Sequence, residues 1–170
     1  MTSKNVYGPK RYIPKRLSKK DRKQQRNQLK KSRKLYKKGK YHTRKKVKSF
    51  KSKTSNHITN AKRIYKMDAI VVDDILAEKT GCDLIGLEKI ASKGRGAYFS
   101  SGSRPNQTPE SWGLARLASS ITGGKSSQQD FKILEQYCHP KKSKALQLAK
   151  KTRKTSGKSY GTRKVPKVKL

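Results

Sequence analysis

Charge is spread along this chain so unevenly that it dictates where a core can form. Residues 1–60 carry 23 Lys and Arg against one acid, Asp21; residues 61–138 carry 11 against nine; residues 139–170 carry 12 against none. Self-repulsion at that density opposes compaction of the flanks. The nearly neutral middle, which also holds most of the long apolar runs, is the expected folding unit. With 31% apolar side chains and a net charge of +36 over 170 residues, the chain lacks the material for a core along its whole length. The expectation is an all-α protein: a small helical core over 55–138, between disordered or extended basic arms at 1–54 and 139–170.

Local signals divide the core into about five short helices. Apolar residues at helical spacing predict helices from His57 to Met67, from Asp68 to Gly81 and from Asp83 to Lys93, the last ending at Gly94. Thr108-Pro109-Glu110 is a strong helix start, and Gly123-Gly124 stops that helix. A final helix from Ser126 or Ser127 ends at His139-Pro140. Between Lys93 and Gln107 the Gly/Ser-rich stretch reads as a loop. In the N-terminal arm, Leu17 to Lys38 has Ser18 as an N-cap and Gly39 as a stop, but repeated like charges at helical neighbour spacing predict that helix only along a polyanion. Cys82 and Cys138 are too few for a disulfide framework and stand in no metal-ligand spacing, so both are expected reduced and structural.

Two constellations bear on function. LAEKTGCDLIGLEKI, from Leu76 to Ile90, fits a helix-turn-helix pattern with Gly81 at the turn and Cys82, Leu87 and Ile90 inward. Its outward residues Asp83, Ile85, Gly86 and Glu88 are poor base readers, which leaves a DNA-reading pair or a plain pair of packed helices, with Lys89 the available cation. The second, KGRGAYFSSGSRPNQTPESWG, combines Gly94, Gly96 and Gly102 with Lys93, Arg95, Arg104 and the helix start at Thr108. It is either a phosphate or partner contact or an ordered loop with Trp112 packed over Arg116. No Walker spacing, GxSxG or HExxH occurs, and the histidines His42, His57 and His139 are scattered, so no enzyme, cofactor or metal site is expected.

The elements Gly-Arg-Gly-Ala, Ser-Gly-Ser-Arg-Pro-Asn-Gln-Thr and Ser-Trp-Gly, with Gly123-Gly124 following, resemble a signature of small basic proteins of large DNA viruses of algae and amoebae. The resemblance covers roughly residues 57–137 and implies a viral source and a virion component; that family is uncharacterised and brings no catalytic residues.

The charge itself predicts a polyanionic partner. The expected function is sequence-independent binding of nucleic acid, with double-stranded DNA foremost, for packaging or condensation in a virion. Candidate phosphate contacts are Arg33, Lys34, Arg44, Lys45 and Lys46 in the arm, with Lys89, Lys93, Arg95, Arg104 and Arg116 in the core. An alternative is a minor capsid or internal structural protein threading between other virion proteins, since Tyr7, Pro9, Tyr12, Ile13, Pro14, Val165, Pro166, Val168 and Leu170 are apolar and extended-prone residues that phosphate neutralisation does not need. RNA binding is the third reading. No segment reads as a signal peptide or membrane span, so the protein is expected in the virion and in the host cytoplasm or nucleus.

Overall fold

The computed structural model describes residues 6–156 and 165–170, so 1–5 and 157–164 of the expected arms lie outside it. The chain divides into two compact units. The first comprises Met1–Lys53, Arg95–Trp112 and Arg163–Leu170; the second comprises Thr54–Gly94 and Gly113–Thr162. The described residues are mostly helical, as expected, and within them both of the arms expected to be disordered or extended contribute helix and strand with buried side chains.

In the first unit, strand β1 (Tyr7–Pro9) pairs antiparallel with β2 (Lys167–Lys169), Gly8 facing Val168. A short 3-10 turn over Lys10–Tyr12 leads toward helix α1, Lys19–Tyr36. Ser18 caps α1 by accepting from the Asp21 amide, and Gly39 turns the chain at φ 70°. The inward face of α1 holds Asp21, Gln25, Leu29 and Ser32, three of them polar, at spacings of 4, 4 and 3. Each polar one has a partner. The Ser49 amide donates to the Asp21 carboxylate (2.7 Å), Gln25 donates to the carbonyls of Tyr12 (3.2 Å) and Ser103 (3.4 Å), and Ser32 donates to that of Phe99 (3.1 Å).

Charge repulsion suggested that this arm could not fold alone. It folds because buried hydrogen bonds take the place of missing apolar contacts, and because segments far along the chain supply the acceptors. Tyr12, Ile13, Leu29 and Leu170 form one small apolar cluster, with Trp112 and Val168 against it; Leu17, Val47 and Phe50 form another. Trp112, expected over Arg116, is edge-on to Tyr12 with centroids 6.0 Å apart.

The second unit contains α2 (Asn56–Tyr65), α3 (Asp74–Thr80), the first part of α4 (Leu84–Ser100), most of α5 (Pro109–Ile121), α6 (Lys125–Gln129), α7 (Phe131–Tyr137) and α8 (Lys144–Ser156). Its core joins Ala61, Tyr65, Leu76, Leu87, Ile90, Leu117, Ile121 and Leu134 to Ala145, Leu146 and Ala149 of α8. Helix α8 lies in the expected basic tail. Its apolar residues form one narrow stripe, enough to dock a helix whose other faces are cationic.

Three further expectations are corrected. The segment 68–72 is not helical, and α3 starts only after Asp73, whose carboxylate caps the Leu76 amide. Helix α4 does not stop at Lys93 but runs through Gly94 and Gly96 to Ser100. Glycine in a helix costs about 1 kcal/mol relative to alanine, and full burial of Tyr98 outweighs that. The turn comes instead at Gly102, φ 114°. Finally, Cys82 and Cys138 are not reduced: they form a disulfide joining the α3–α4 turn to the end of α7. Only the fold brings them together, since 56 positions separate them.

Gly102→Ala meets both a left-handed backbone and a Cβ 2.6 Å from Leu29, and should cost about 2–4 kcal/mol in denaturant unfolding. Gly96→Ala, helical with open space around it, should gain about 1 kcal/mol in the same measurement. Reducing the disulfide, or replacing Cys138 by Ser, releases a loop closed across 56 positions and should lower stability by up to about 4 kcal/mol, read by unfolding with and without reductant.

Candidate nucleic-acid interface

The first unit holds 29 Lys and Arg against Asp21 and Glu110 by sequence, a net charge of +27; the second is +9. The cations are therefore mounted largely on a folded frame, and the frame sorts them by type.

Arg33, Arg44 and Arg116 turn inward, whereas Arg11, Arg16 and Arg104 are exposed. Arg44 is 7% exposed, and its guanidinium lies 3.7 Å from the Tyr98 ring centroid. It donates to the Ser32 hydroxyl (2.9 Å), the Tyr98 carbonyl (2.8 Å) and the Ser103 hydroxyl (2.8 Å), with no carboxylate among these acceptors. Burial pushes its pKa down, and the neighbouring tyrosines oppose that shift. The Arg44 amide completes the lock by donating to the Tyr98 hydroxyl (3.0 Å). Arg33 donates to the carbonyls of Ser101 (2.7 Å) and Tyr7 (2.8 Å). In the second unit Arg116 makes a two-pronged bond to Asp130 (3.0 and 2.7 Å), which is fully buried and also accepts from Ser120 (2.7 Å). Lys93 pairs with the same carboxylate at 3.1 Å. Arg33, Arg44, Arg116 and Lys93, all candidates for phosphate contact, thus have internal partners.

Lysines face outward. Along the segment after α1, Arg44, Val47 and Phe50 are buried at a period of three while Lys45, Lys46, Lys48 and Lys51 are exposed. Asn106, at φ 61°, clamps this segment: it accepts from the Val47 amide (2.7 Å) and donates to the Val47 (3.0 Å) and Phe50 (2.6 Å) carbonyls. On α1, Lys19, Lys20, Lys23, Lys30, Lys31 and Lys34 are exposed. Arg104 is exposed and Arg95 half-buried. Of the candidates, Lys34, Lys45, Lys46 and Arg104 share the first unit with Arg33, Arg44 and Arg95, whereas Lys89, Lys93 and Arg116 belong to the second. His42 sits in the same segment, hydrogen-bonded to Gln28 at 2.9 Å. Burial first, then Lys31, Arg44 and Lys45, lower its pKa from the ordinary histidine value.

The second unit has two contrasting surfaces. On α8, Lys144, Gln147, Leu148, Lys150, Lys151, Arg153 and Lys154 line an open groove of about 750 Å³. Sequence reasoning missed it; the signal was the spacing of Ala145, Leu146 and Ala149 inside a lysine run. The helix-turn-helix pattern is present locally: Gly81 is left-handed at φ 69°, and Cys82, Leu87 and Ile90 are buried. Its outward side chains include Asp83, Ile85 (63% exposed) and Glu88, close in sequence to Asp73, Asp74 and Glu78, but Gly86, expected outward, is buried against Tyr137, where a side chain would collide. Such a face repels phosphate, and Lys89 lies over the Tyr137 ring at 5.7 Å.

Neither the curated proteins nor the solved structures searched contain a match to the chain. A family model does match, over residues 9–140, a span that takes in the α1 frame, the Arg44 lock and the disulfide. The chain belongs to the Family of unknown function (DUF5824).

Proposed function

We propose that the protein binds nucleic acid without reading sequence, through the exposed lysines of its first unit with the cationic face of α8 as a second contact. The observation that carries this is the sorting of cations. Arg33 and Arg44, with planar forks suited to internal bonds, hold the frame; the described lysines of the first unit, strongly hydrated point charges, are left on the surface together with Arg11, Arg16 and Arg104, at a density that a polyanion relieves. The frame gives them fixed positions, so less chain entropy is lost on binding than for a free tail.

Binding of this kind is driven by counterion release. Engaging eight phosphates would lower affinity by about four powers of ten between roughly 50 and 200 mM salt. Such strong, indiscriminate binding suits packaging or condensation, in a virion if the source is viral as the resemblance implies. For the alternative of a structural protein threading between subunits, Tyr12, Ile13 and Leu170 lie in the first unit's own core, while Tyr7 remains exposed.

Replacing Lys34, Lys45 and Lys46 together by Ala should weaken binding to every DNA sequence alike and flatten the log–log salt slope by about one unit per lysine. Arg116→Ala should leave that slope alone and destabilise the second unit by about 3 kcal/mol, because Asp130 loses its main partner. A slope unchanged in the triple variant would count against this interface. Phosphates docked near His42 would offset the cations that depress its pKa, so the complex would hold more protons than the free protein. Affinity should then rise as pH falls below about 7, and His42→Gln should remove that rise in pH-dependent titrations.

A further inference from the structure

We propose that Tyr41, Tyr36 and Phe99 form a stacking platform for unpaired nucleobases, so that the first unit favours single strands over duplex. The inference rests on the polyanion-binding reading above and names the form of the ligand.

The platform follows from how α1 ends. Its last residue is Tyr36, and Lys37 closes it. The left-handed Gly39 and the bond from the Lys40 amide to the Leu35 carbonyl (2.9 Å) then fold the chain back on the helix end. That reversal sets the Tyr41 ring 6.2 Å from Tyr36, inclined at 56°, and 5.0 Å from Phe99, inclined at 52°. Phe99 comes from the last turn of α4, beside Tyr98. The contrast with Tyr98 is informative. Tyr98 is fully buried and bonded into the Arg44 lock, as a structural aromatic should be, whereas Tyr41 is 70% exposed and Tyr36 39%. An aromatic cluster that only closed the helix end would turn its faces inward.

Lysine surrounds this exposed aromatic surface in the chain: Lys34, Lys37, Lys38 and Lys40 are all exposed. Asp21, the acid of α1, lies at the other end of the helix, about 22 Å away at 1.5 Å per residue. Rings open to solvent among cations match a ligand with flat π faces on an anionic backbone. Paired bases hide those faces within the helical stack, while single strands present them. The shared chemistry is the unpaired base, on DNA or on RNA.

The test uses the full chain with fluorescently labelled oligomers of dT, of U, and a blunt duplex, each of about 16 nucleotides per strand, at one salt concentration. Tyr41→Ala should lower affinity for the single strands by about five- to a hundredfold and shrink their advantage over duplex, while Tyr41→Trp retains it. Loss on both dT and U assigns the base face as the ligand; loss on one alone supports the platform and names DNA or RNA as the source. Single-strand affinity within twofold of wild type in the Tyr36→Ala/Tyr41→Ala double variant would overturn the platform, as would equal loss on duplex and single strand. If the unaltered chain binds none of the three, the polyanion-binding reading itself fails; steep, salt-sensitive duplex binding with tyrosine variants that change nothing removes the platform alone.

Discussion

The buried guanidinium of Arg44 is the constraint around which the first unit is arranged. A cation taken out of water must find acceptors, and here they come from α1 through Ser32, from α4 through Tyr98 and from the following turn through Ser103. Those three positions lie 12, 54 and 59 residues away along the chain. Satisfying one side chain therefore fixes the mutual placement of all three segments, in a region too poor in apolar residues to do so by burial. The Asn106 clamp and the Gln25 and Asp21 bonds extend the same strategy: a core held by directional bonds rather than by volume. Directional bonds demand unique geometry, which explains why the glycine that would collide with Leu29 if it carried a side chain sits at their centre.

What was legible in the sequence was local. Ser18, Gly39, Gly81 and Thr108 end or begin helices by chemistry confined to a few neighbouring residues, and the structure places them in those roles. What was illegible depended on residues distant in the chain. The disulfide needs α7 brought back to the α3–α4 turn; the folding of residues 17–50 needs carbonyls from 99–103. Helix α8 was hidden for a different reason, since a stripe of alanine and leucine two to three residues wide is outweighed in composition by five lysines and arginines along it. The extension of α4 through Gly94 and Gly96 shows tertiary burial overriding intrinsic propensity. Among the candidate cations, Arg33, Arg44 and Arg116 are bonded internally and Lys34, Lys45 and Lys46 are exposed, but Arg104 is exposed and Lys93 is paired with Asp130, so residue type alone did not assign the role.

The two units carry different chemistry, and the difference bears on partners. The first has almost no acid to neutralise its surface, whereas the second concentrates Asp73, Asp74, Glu78, Asp83 and Glu88 in a short stretch with exposed Val71, Ile75 and Ile85. In the proposed reading the first engages a polyanion. The acidic stretch then acts as a boundary that keeps phosphate off one side of the second unit and limits how a strand can track along the chain.

The pairing of β1 with β2 joins residues 7–9 to residues 167–169. During synthesis this has a temporal consequence. The basic stretch over residues 10–53 is made more than a hundred residues before Leu170, a member of its apolar cluster. Until residues 98–103 are made Arg44 lacks two of its three acceptors, and until residues 167–169 are made β1 lacks its partner, while the lysine-rich segment is surrounded by ribosomal and messenger RNA. Completion of the first unit thus lags far behind synthesis of its basic stretch, in competition with whatever polyanion the nascent chain meets while it waits.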